Sequence, residues 1–244
     1  MEKYKLPAWQ LFCHVMAIYC FFIFSWTDYL LSIIVYFLTG CLGITTTYHR
    51  YLSHKSFKTR PMFIKIGTLL GTLGGVGSSI GWVSVHRQHH RYSDKELDPH
   101  SPKYGFLRSF YGSIVHTPQI KYVTDLLKNN YQTKMHQYYW HINAAYAIAL
   151  LALGGVNLWL ACHIFPSFIL WTTMGLVNTI SHMWGYKNYP DTRDDSRNNW
   201  LAALLAWGEG WHNNHHGDPM NWSFQRHWWE IDITKLVIKS IKYE

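Results

Sequence analysis

Apolar residues along this chain are concentrated in two long stretches that carry almost no charge. From Leu11 to Tyr48 the only charged residue is Asp28, and from Gln137 to Tyr186 there is no Asp, Glu, Lys or Arg. A membrane-spanning helix needs about 20 mostly apolar residues, so each stretch is long enough for two such helices. Charge-free runs of this length are not typical of core helices in soluble proteins. The pattern therefore predicts an all-α integral membrane protein.

Breaks within the two stretches divide them into four predicted transmembrane helices, near residues 8–25, 29–48, 140–160 and 164–184. Polar residues at Ser25–Asp28 interrupt the first stretch. The second is interrupted either at Gly154–Gly155 or at Phe165–Pro166, and we favour the later break because proline is well suited to open a helix. We therefore expect two hairpins across the membrane.

The distribution of charge orients these hairpins. They leave residues 49–60, 86–136 and 187–244 on one side, where these segments would form a helical cap, including a helix over 199–216. Lysine and arginine residues flank the predicted helices on this side, whereas the opposite turns carry Asp28 and no Lys or Arg. Since flanking positive residues mark the cytoplasmic side, we expect a multi-pass membrane protein with its active site facing the cytoplasm.

Residues 61–85 form a third apolar stretch of a different kind. Lys65 interrupts it, and it contains a series of glycines from Gly67 to Gly81. Glycine weakens a helix and permits close approach of another backbone or a substrate. We predict an interfacial helix for this segment. The alternative, a true span, would put the histidines on either side of it on opposite faces of the membrane.

The composition favours metal chemistry. Only 15% of the residues are charged and 48% are hydrophobic, which argues against a disordered chain and, with the predicted spans, against a nucleic-acid partner. The chain has 16 His but only 14 Asp and Glu. This excess of histidines over acidic residues favours metal binding by imidazole over acid–base catalysis by paired carboxylates.

Eight of the histidines lie in three short clusters, which are His49 and His54, then His86, His89 and His90, and finally His212, His215 and His216. Positions i, i+3 and i+4 share one face of an α-helix, so each of the last two clusters converges on one side. Gathered imidazoles gain little without a cation, and neutral imidazole is a common ligand of iron and zinc. The i, i+5 spacing of the first pair does not share a face of a regular helix and predicts a helix end.

A fourth feature lies at the end of the last predicted span. Asn178 and His182 are one turn apart there, and polar residues inside a span are usually functional. With His182, nine imidazoles are too many for one tetrahedral ion, so two metals are expected. A structural zinc site usually has four ligands and often uses Cys, which all three clusters lack. An open di-metal site suits iron and dioxygen better.

These motifs resemble those of the integral-membrane fatty acid desaturases, and in particular the acyl-CoA (stearoyl-CoA) Δ9 branch. The resemblance covers roughly residues 8–235. It rests on the three histidine clusters, on Asp98–Pro99–His100–Ser101 after the second cluster, on Asn178 to His182, and on Gly208–Glu209–Gly210–Trp211 before His212.

The resemblance implies two iron ions held by nine histidines, with O2 as co-substrate. By motif these ligands are His49, His54, His86, His89, His90, His182, His212, His215 and His216, and Asn178 would hold a metal-bound water. The implied reaction inserts a cis double bond, at Δ9, into a saturated acyl chain.

Further candidates surround this ligand set. Carboxylates that accept the free imidazole N–H would orient the rings, and the candidates are Glu209, Asp94, Asp98, Asp194 and Asp195, with His100 as a further neighbour of the site. Trp82, one turn before His86, is a candidate tunnel residue, and Arg226 and Trp228 are candidates for the tunnel entrance.

The basic surplus, with a net charge of +8, predicts anionic partners. Membrane lipids, the phosphates of an acyl-CoA and an acidic electron donor similar to ferredoxin, rubredoxin or cytochrome b5 all fit, and Arg50, Lys55, Lys58, Arg87 and Arg91 lie next to the clusters. Two other functions stay open. One is a membrane di-iron hydroxylase or alkane monooxygenase, and the other is a non-enzymatic membrane metal-binding or transport protein.

Overall fold

The computed structural model describes residues 2–243, without the side chains of residues 2, 3 and 113–115. Its α-helices are α1 (Glu2–Ile23), α2 (Trp26–Tyr36), α3 (Pro61–Leu73), α4 (Ser79–Tyr92), α5 (Phe106–Val115), α6 (Thr124–Leu127), α7 (Asn130–Gln137), α8 (Tyr139–Trp159), α9 (Phe165–Met183), α10 (Trp200–Leu205), α11 (His212–Gly217) and α12 (Ile233–Ile241). Wider π-helical turns cover Phe37–Ser53 and Leu160–Ile164, and 3-10 turns cover Pro102–Tyr104 and Ile120–Tyr122. The short strands β1 (Lys58–Thr59) and β2 (Lys242–Tyr243) pair antiparallel. The fold is helical, as predicted.

Three apolar helical segments within the described residues are long enough to cross a membrane. They are Tyr4–Ile23, Trp26–Ser53 and Tyr139–Met183. The first two are separated by a short break, where Ser25 and Asp28 cap the start of α2 through a reciprocal capping box. This is the interruption that the polar residues of the first stretch predict.

The third segment bends back on itself at Gly154–Gly155. Gly155 has a φ of 68°, a left-handed conformation that favours glycine. On either side of this turn the chain is antiparallel, since the Tyr146 hydroxyl donates to the Cys162 carbonyl at 2.9 Å. The boundary expected between residues 160 and 164 is therefore wrong. Those residues are helical, and Pro166 lies in the first turn of α9 without opening a new span.

Both turns lie at the same end of the helices. The Asn157 amide donates to the Asp28 carboxylate at 2.8 Å, and the Ser32 hydroxyl donates to the Ala161 carbonyl at 2.8 Å. The first turn thus contacts the second, and α1 and α2 both pack against the returning helix. The structure therefore has two helical hairpins whose tips meet at the end remote from the histidines.

The glycine-rich stretch is two helices rather than one. α3 ends at Leu73, residues 74–78 turn, and α4 begins at Ser79, whose preceding residue Ser78 caps it by accepting from the Gly81 amide. α3 packs tightly on Phe37–Ser53, which we call the π-helical segment. A Cβ on Gly43 would lie 2.4 Å from the Gly71 nitrogen, so this contact requires glycine. Close approach of backbones, one of the two uses expected of these glycines, is therefore observed.

The candidate metal centre

The nine histidines predicted as ligands lie together at one end of the helix bundle. One ring nitrogen from each of His49, His54, His86, His90 and His215 lies within 4.8 Å of the others, and we call these the five-histidine group. The same holds for His89, His182, His212 and His216, the four-histidine group. The two groups are neighbours, because the rings of His90 and His216 stack with centroids 4.4 Å apart.

The π-helical backbone explains how the first pair meets. In a π-helix the amide of residue i+5 bonds to the carbonyl of residue i, so residues five apart lie one turn apart. The His54 amide bonds in this way to the His49 carbonyl at 3.2 Å, and the two rings lie 5.0 Å apart. The helix end that the i, i+5 spacing predicts is confirmed, because His54 is the C-cap of this segment. The π-helical turns, which regular α-helical spacing does not predict, align the pair.

Helices α4 and α11 present the other two clusters as their i, i+3, i+4 spacing predicts. α11 is short, and it is anchored by the two asparagines between its histidines. The Asn213 side chain accepts from the Tyr189 amide at 2.7 Å, and the Asn214 side chain donates to the Phe224 carbonyl at 2.8 Å and to Glu230 at 3.0 Å. Sequence reasoning missed these positioning residues, although they lie inside the His212–His216 motif.

The tail does not form the single helix expected over 199–216. α10 ends at Leu205, and the chain turns through Trp207 and Gly208, both with positive φ, before α11 begins. A Cβ on Gly208 would lie 2.5 Å from an Asp232 carboxylate oxygen, so this turn is packed against the C-terminal part. The turn carries Glu209 into the site.

Carboxylates accept hydrogen bonds from four of the nine rings at Nδ1. Asp98 accepts from His89 at 3.0 Å, Asp94 from His182 at 3.0 Å, and Asp194 from His216 at 2.7 Å, while Glu209 accepts from His49. Such bonds fix the tautomer and the orientation of the ring and leave Nε2 free to bind a metal. Asp195, in contrast, is exposed and bonds to Asp94 only through its own amide.

Glu209 bonds to a different ring from the one that its position suggests. It is one turn before His212 in sequence but accepts from His49, and Arg50 donates to it at 2.9 Å. Arg50 is fully buried and also pairs with Asp232 at 2.8 Å. The expectation that Arg50 faces an anionic partner is therefore wrong. Arg87 is likewise bound within the chain, to Asp125 and to the Leu52 carbonyl.

The facing ring nitrogens fit a bound cation. Nε2 atoms approach each other at 2.7 Å between His54 and His86, at 2.8 Å between His90 and His215, and at 3.0 Å between His182 and His212. His89 and His216 both donate Nδ1–H to carboxylates, and their Nε2 atoms lie 3.3 Å apart. Two such lone pairs repel unless a proton or a metal ion lies between them.

Burial keeps most of these rings in the neutral form that binds metals. Burial and the neighbouring rings lower the pKa of His54, His86, His90, His212 and His215 well below 6.5. Burial also lowers the pKa of His216, to about 4, although Asp194 acts in the opposite direction. His89 is the exception: burial lowers its pKa, but Asp98, Asp94 and Asp194 together outweigh burial and raise it.

The charges around the rings also fit metal ions. Asp94, Asp98 and Glu209 are almost fully buried. Of these three carboxylates, only Glu209 has an Arg or Lys partner among the described residues, namely Arg50, which also pairs with Asp232. Buried carboxylates without compensation are costly. A pair of divalent cations between the rings would supply that compensation, so the donor set fits a centre of two metal ions.

A cavity of 740 Å³ runs beside the two groups. His49, His86, His89 and His212 line it, together with apolar side chains such as Val85, Met174 and Val177. On its wall the Tyr36 hydroxyl donates to the Leu205 carbonyl at 2.6 Å and lies 3.0 Å from the Thr173 hydroxyl, and Trp207 packs against Tyr36. The arrangement places an apolar slot in contact with the candidate metal ligands.

Other predicted site residues divide between the cavity and the surface. Trp82 lines the cavity and stacks on His86 with centroids 5.0 Å apart, and Asn178, one turn before His182, also lines it. His100 is buried, stacks on His89 at 4.2 Å and also lines it, and burial followed by the charge of His89 lowers its pKa to about 3. Neither Arg226 nor Trp228 is among the described lining residues; Arg226 bonds to Tyr189 and Trp228 is 86% exposed.

Comparison with known proteins assigns the chain to a family. Residues 8–241 match the fatty acid desaturase family. The sn-1 stearoyl-lipid 9-desaturase of Anabaena variabilis is 34% identical over 94% of this chain and 86% of that protein. The sn-2 palmitoyl-lipid 9-desaturase of Nostoc sp. (strain 36) is 35% identical over 91% and 80%, and the acyl-CoA 5-desaturase AL21 of Anemone leveillei is 36% identical over 94% and 74%. With its histidine clusters beside an apolar cavity, the chain therefore belongs to the fatty acid desaturase family.

Proposed function

We propose that this chain introduces a cis double bond at the Δ9 position of a saturated fatty acyl ester, using O2 and two electrons at a pair of iron ions. The observation that carries the proposal is the convergence of nine histidines from four separate segments beside an apolar cavity. Two relatives are named 9-desaturases, which supports the position of the double bond.

The five-histidine group and the four-histidine group would each hold one iron ion. Bound iron supplies the O2-dependent oxidising power that no protein side chain has. An all-nitrogen donor set with many ligands suits iron, and the absence of Cys from both groups argues against a structural zinc site. Asn178, on the cavity wall one turn before His182, would bind an iron ion through a water molecule.

The chain's own residues hold and shield the reacting part of the substrate. Removing two hydrogens from adjacent methylenes requires one position of a flexible chain to be held against the site. Apolar walls such as Val85, Met174 and Val177 would exclude water and confine the acyl chain, with Trp82 beside His86. Asp94, Asp98, Asp194 and Glu209 keep the rings aimed by accepting their Nδ1 protons.

The overall reaction balances with an external electron donor. One O2, two electrons, two protons and two substrate hydrogens give two water molecules and the double bond. An acidic carrier similar to ferredoxin, rubredoxin or cytochrome b5 would supply the electrons. The exposure of the five-histidine group supports the entry of electrons from the surface. His54, His86 and His90 are only partly buried, and they adjoin the exposed Lys55 and Arg91.

The lengths of the helices support a site outside the bilayer. Trp26–Ser53 has 28 residues, whereas about 20 residues of helix cross the hydrocarbon core of a membrane. If the two hairpin turns lie at one face of the membrane, the helix ends that carry His49 and His182 would project beyond the opposite face. The positive-inside rule makes that side cytoplasmic. Residues 49–60, 86–136 and 187–244 would form the cap there, within a single desaturase domain.

Expression in a host that lacks the activity tests the proposal. We expect new cis-monounsaturated fatty acids with the double bond at Δ9, located by mass spectrometry of total fatty acids. His89→Ala and His215→Ala should insert into the membrane but abolish the product, because each removes one ligand from a different group. His141→Ala, which alters an exposed histidine that does not line the cavity, should retain it.

Two results would contradict the proposal. A product that carries a new hydroxyl group, on a fatty acid or on an alkane, would favour a di-iron hydroxylase, which would use a similar histidine site. Retained desaturation in His89→Ala or His215→Ala would remove that residue from the ligand set.

A further inference from the structure

Helix α10 presents an apolar face to the outside of the protein. This outer face consists of the exposed residues Trp200, Leu201, Leu204 and Leu205. Leu204 is 68% exposed, whereas Ala202 and Ala203 on the other side of the helix are buried. The sequence has no Asp, Glu, Lys or Arg between Arg197 and Glu209. A helix that buries alanines and exposes large apolar side chains is the reverse of an amphipathic helix at a water-facing surface, so the outer face fits an apolar environment.

The inner side of α10 packs against two of the segments that are long enough to cross a membrane. Ala202 forms one buried cluster with Val177 and Ile180 of α9. The Leu205 carbonyl accepts from the Tyr36 hydroxyl at 2.6 Å. The partners on both sides lie within those long apolar segments and not beyond their ends. α10 therefore lies alongside the spans.

The depth of this contact follows from the position of Tyr36 along its own helix. Tyr36 lies about two helical turns after Asp28, which is in the first hairpin turn. About 20 residues of helix cross the hydrocarbon core, so in the proposed topology Tyr36 lies well inside that core. The end of α10 that contacts Tyr36 lies at the same depth, although residues 187–244 otherwise belong to the proposed cap.

The backbone of this segment meets the requirement of an apolar environment. Lipid offers no hydrogen bonds, so irregular backbone is tolerated at membrane depth only where protein buries it. The Asn199 side chain caps the start of α10 by accepting from the Ala202 amide at 3.1 Å. After the helix, the Gly208 amide donates to the Ala203 carbonyl at 2.8 Å, and residues 206–211 are buried or partly buried. The outer face, in contrast, is helical.

We infer that α10 is a re-entrant membrane helix, which leaves the cap, enters the bilayer beside α9 and contacts lipid acyl chains through its outer face. Lipid is the occupant that fits, because the outer face continues the lipid-facing surface of the adjacent spans at the same depth. Trp200, at the start of the helix, fits the level of the lipid headgroups. Ala206 and Trp207 line the cavity, so α10 is also the wall between the cavity and the bilayer. The inference rests on the membrane topology given under the proposed function.

Quenching by brominated lipids tests the contact. A bimane label is attached at Leu204→Cys, at Ile148→Cys on the lipid-facing side of α8, and at Glu96→Cys, which is exposed in the proposed cap. The four native cysteines are buried, so the introduced cysteine takes the label. The complete protein is reconstituted into phosphatidylcholine vesicles with bromines on the acyl chains. We expect the Leu204 label to lose as much fluorescence as the Ile148 label, and aqueous iodide to quench only the Glu96 label.

Two results for the Leu204 label would overturn the inference. Quenching by iodide but not by brominated lipid would show that the outer face is in water. Quenching by neither would show that protein, such as a second copy of the chain, covers it. If the Ile148 label also escaped quenching by lipid, the proposed topology itself would be wrong, so the two failures are distinguishable.

A charge substitution gives an independent readout that needs no label. Leu204→Glu would place a carboxylate among acyl chains, where a charge is costly, so we expect a lower midpoint of thermal unfolding in lipid nanodiscs. Met220→Glu, at a residue of the proposed cap that is 61% exposed, should leave the midpoint unchanged. Equal midpoints for the two variants would contradict the lipid contact of α10.

Discussion

At the scale of single residues, the candidate metal centre depends on the carboxylates behind the rings as much as on the rings themselves. Each of Asp94, Asp98, Asp194 and Glu209 accepts an Nδ1 proton from one histidine. An imidazole whose Nδ1–H is donated presents its Nε2 lone pair to the metal and cannot rotate freely. The carboxylate charge also compensates the positive charge of the ion.

Neighbouring aspartates allow this dependence to be measured. Asp194→Asn should lower iron affinity and desaturation by roughly 10–100-fold, because it weakens the support of His216 without removing the ligand. Iron content after dialysis and the rate of product formation check this. Asp195→Asn is the control, since Asp195 is exposed and its carboxylate contacts Lys103, not a histidine. Equal losses in both variants would contradict the assigned role of Asp194.

At the scale of secondary-structure elements, the decisive feature is the tight packing of α3 on the π-helical segment. Gly43 contacts the backbone at Gly71, and the ring of Tyr48 packs over Gly71. This contact fixes the wide helix that carries His49 and His54, so the distance between the two helices controls the position of the first pair of ligands.

Gly43→Ala should therefore destabilise the protein. The new methyl group would meet the backbone of α3 and not a flexible side chain, and overpacking of this kind typically costs about 1–3 kcal/mol. We expect a lower midpoint of thermal unfolding in detergent. Gly81→Ala, where a Cβ has ordinary contacts at 3.4 and 3.8 Å, should leave the midpoint unchanged or higher. An unchanged midpoint for Gly43→Ala would show that α3 can move away without loss.

At the scale of the whole molecule, four segments far apart in sequence meet at the histidines. Residues 49–54, 86–90, 182 and 212–216 are brought together by the two hairpins and the cap. A metal bound there would add bonds between segments that a buried apolar cluster already packs together. Binding to the folded state alone adds its free energy to stability.

Removal of the metal should accordingly lower the thermal stability of the whole chain. Dialysis against a chelator would leave Asp94 and Asp98 buried without a cation, and we expect a lower unfolding midpoint that added Fe²⁺ restores. The midpoint of a His89→Ala/His215→Ala double variant should not respond to the chelator. If the wild-type midpoint were also insensitive, the site would not hold metal in the folded protein.

The buried wall of the cavity predicts chain-length selectivity. Ala206 is a buried residue of that wall, so Ala206→Phe should reduce the space open to an acyl chain and shift the products towards shorter acyl chains. The ratio of C16 to C18 monounsaturated products measures the shift. Leu204→Phe, on the exposed side of α10, should leave the ratio unchanged. An unaltered ratio in Ala206→Phe would mean that the acyl chain does not reach this part of the cavity.

The sequence by itself determined which residues meet and what chemistry they bring. Charge-free stretches determined the helical hairpins, because a long run without charge is stable mainly in an apolar environment. The i, i+3, i+4 spacing determined the faces of α4 and α11, because it depends only on local helical geometry. Tertiary structure decided the rest. The i, i+5 pair shares a face only because packing supports π-helical turns, and the hairpin turn falls at Gly154–Gly155 because Gly155 takes up a left-handed φ. Glu209 pairs with His49, and Arg50 is buried, because contacts between distant segments outweigh proximity along the chain.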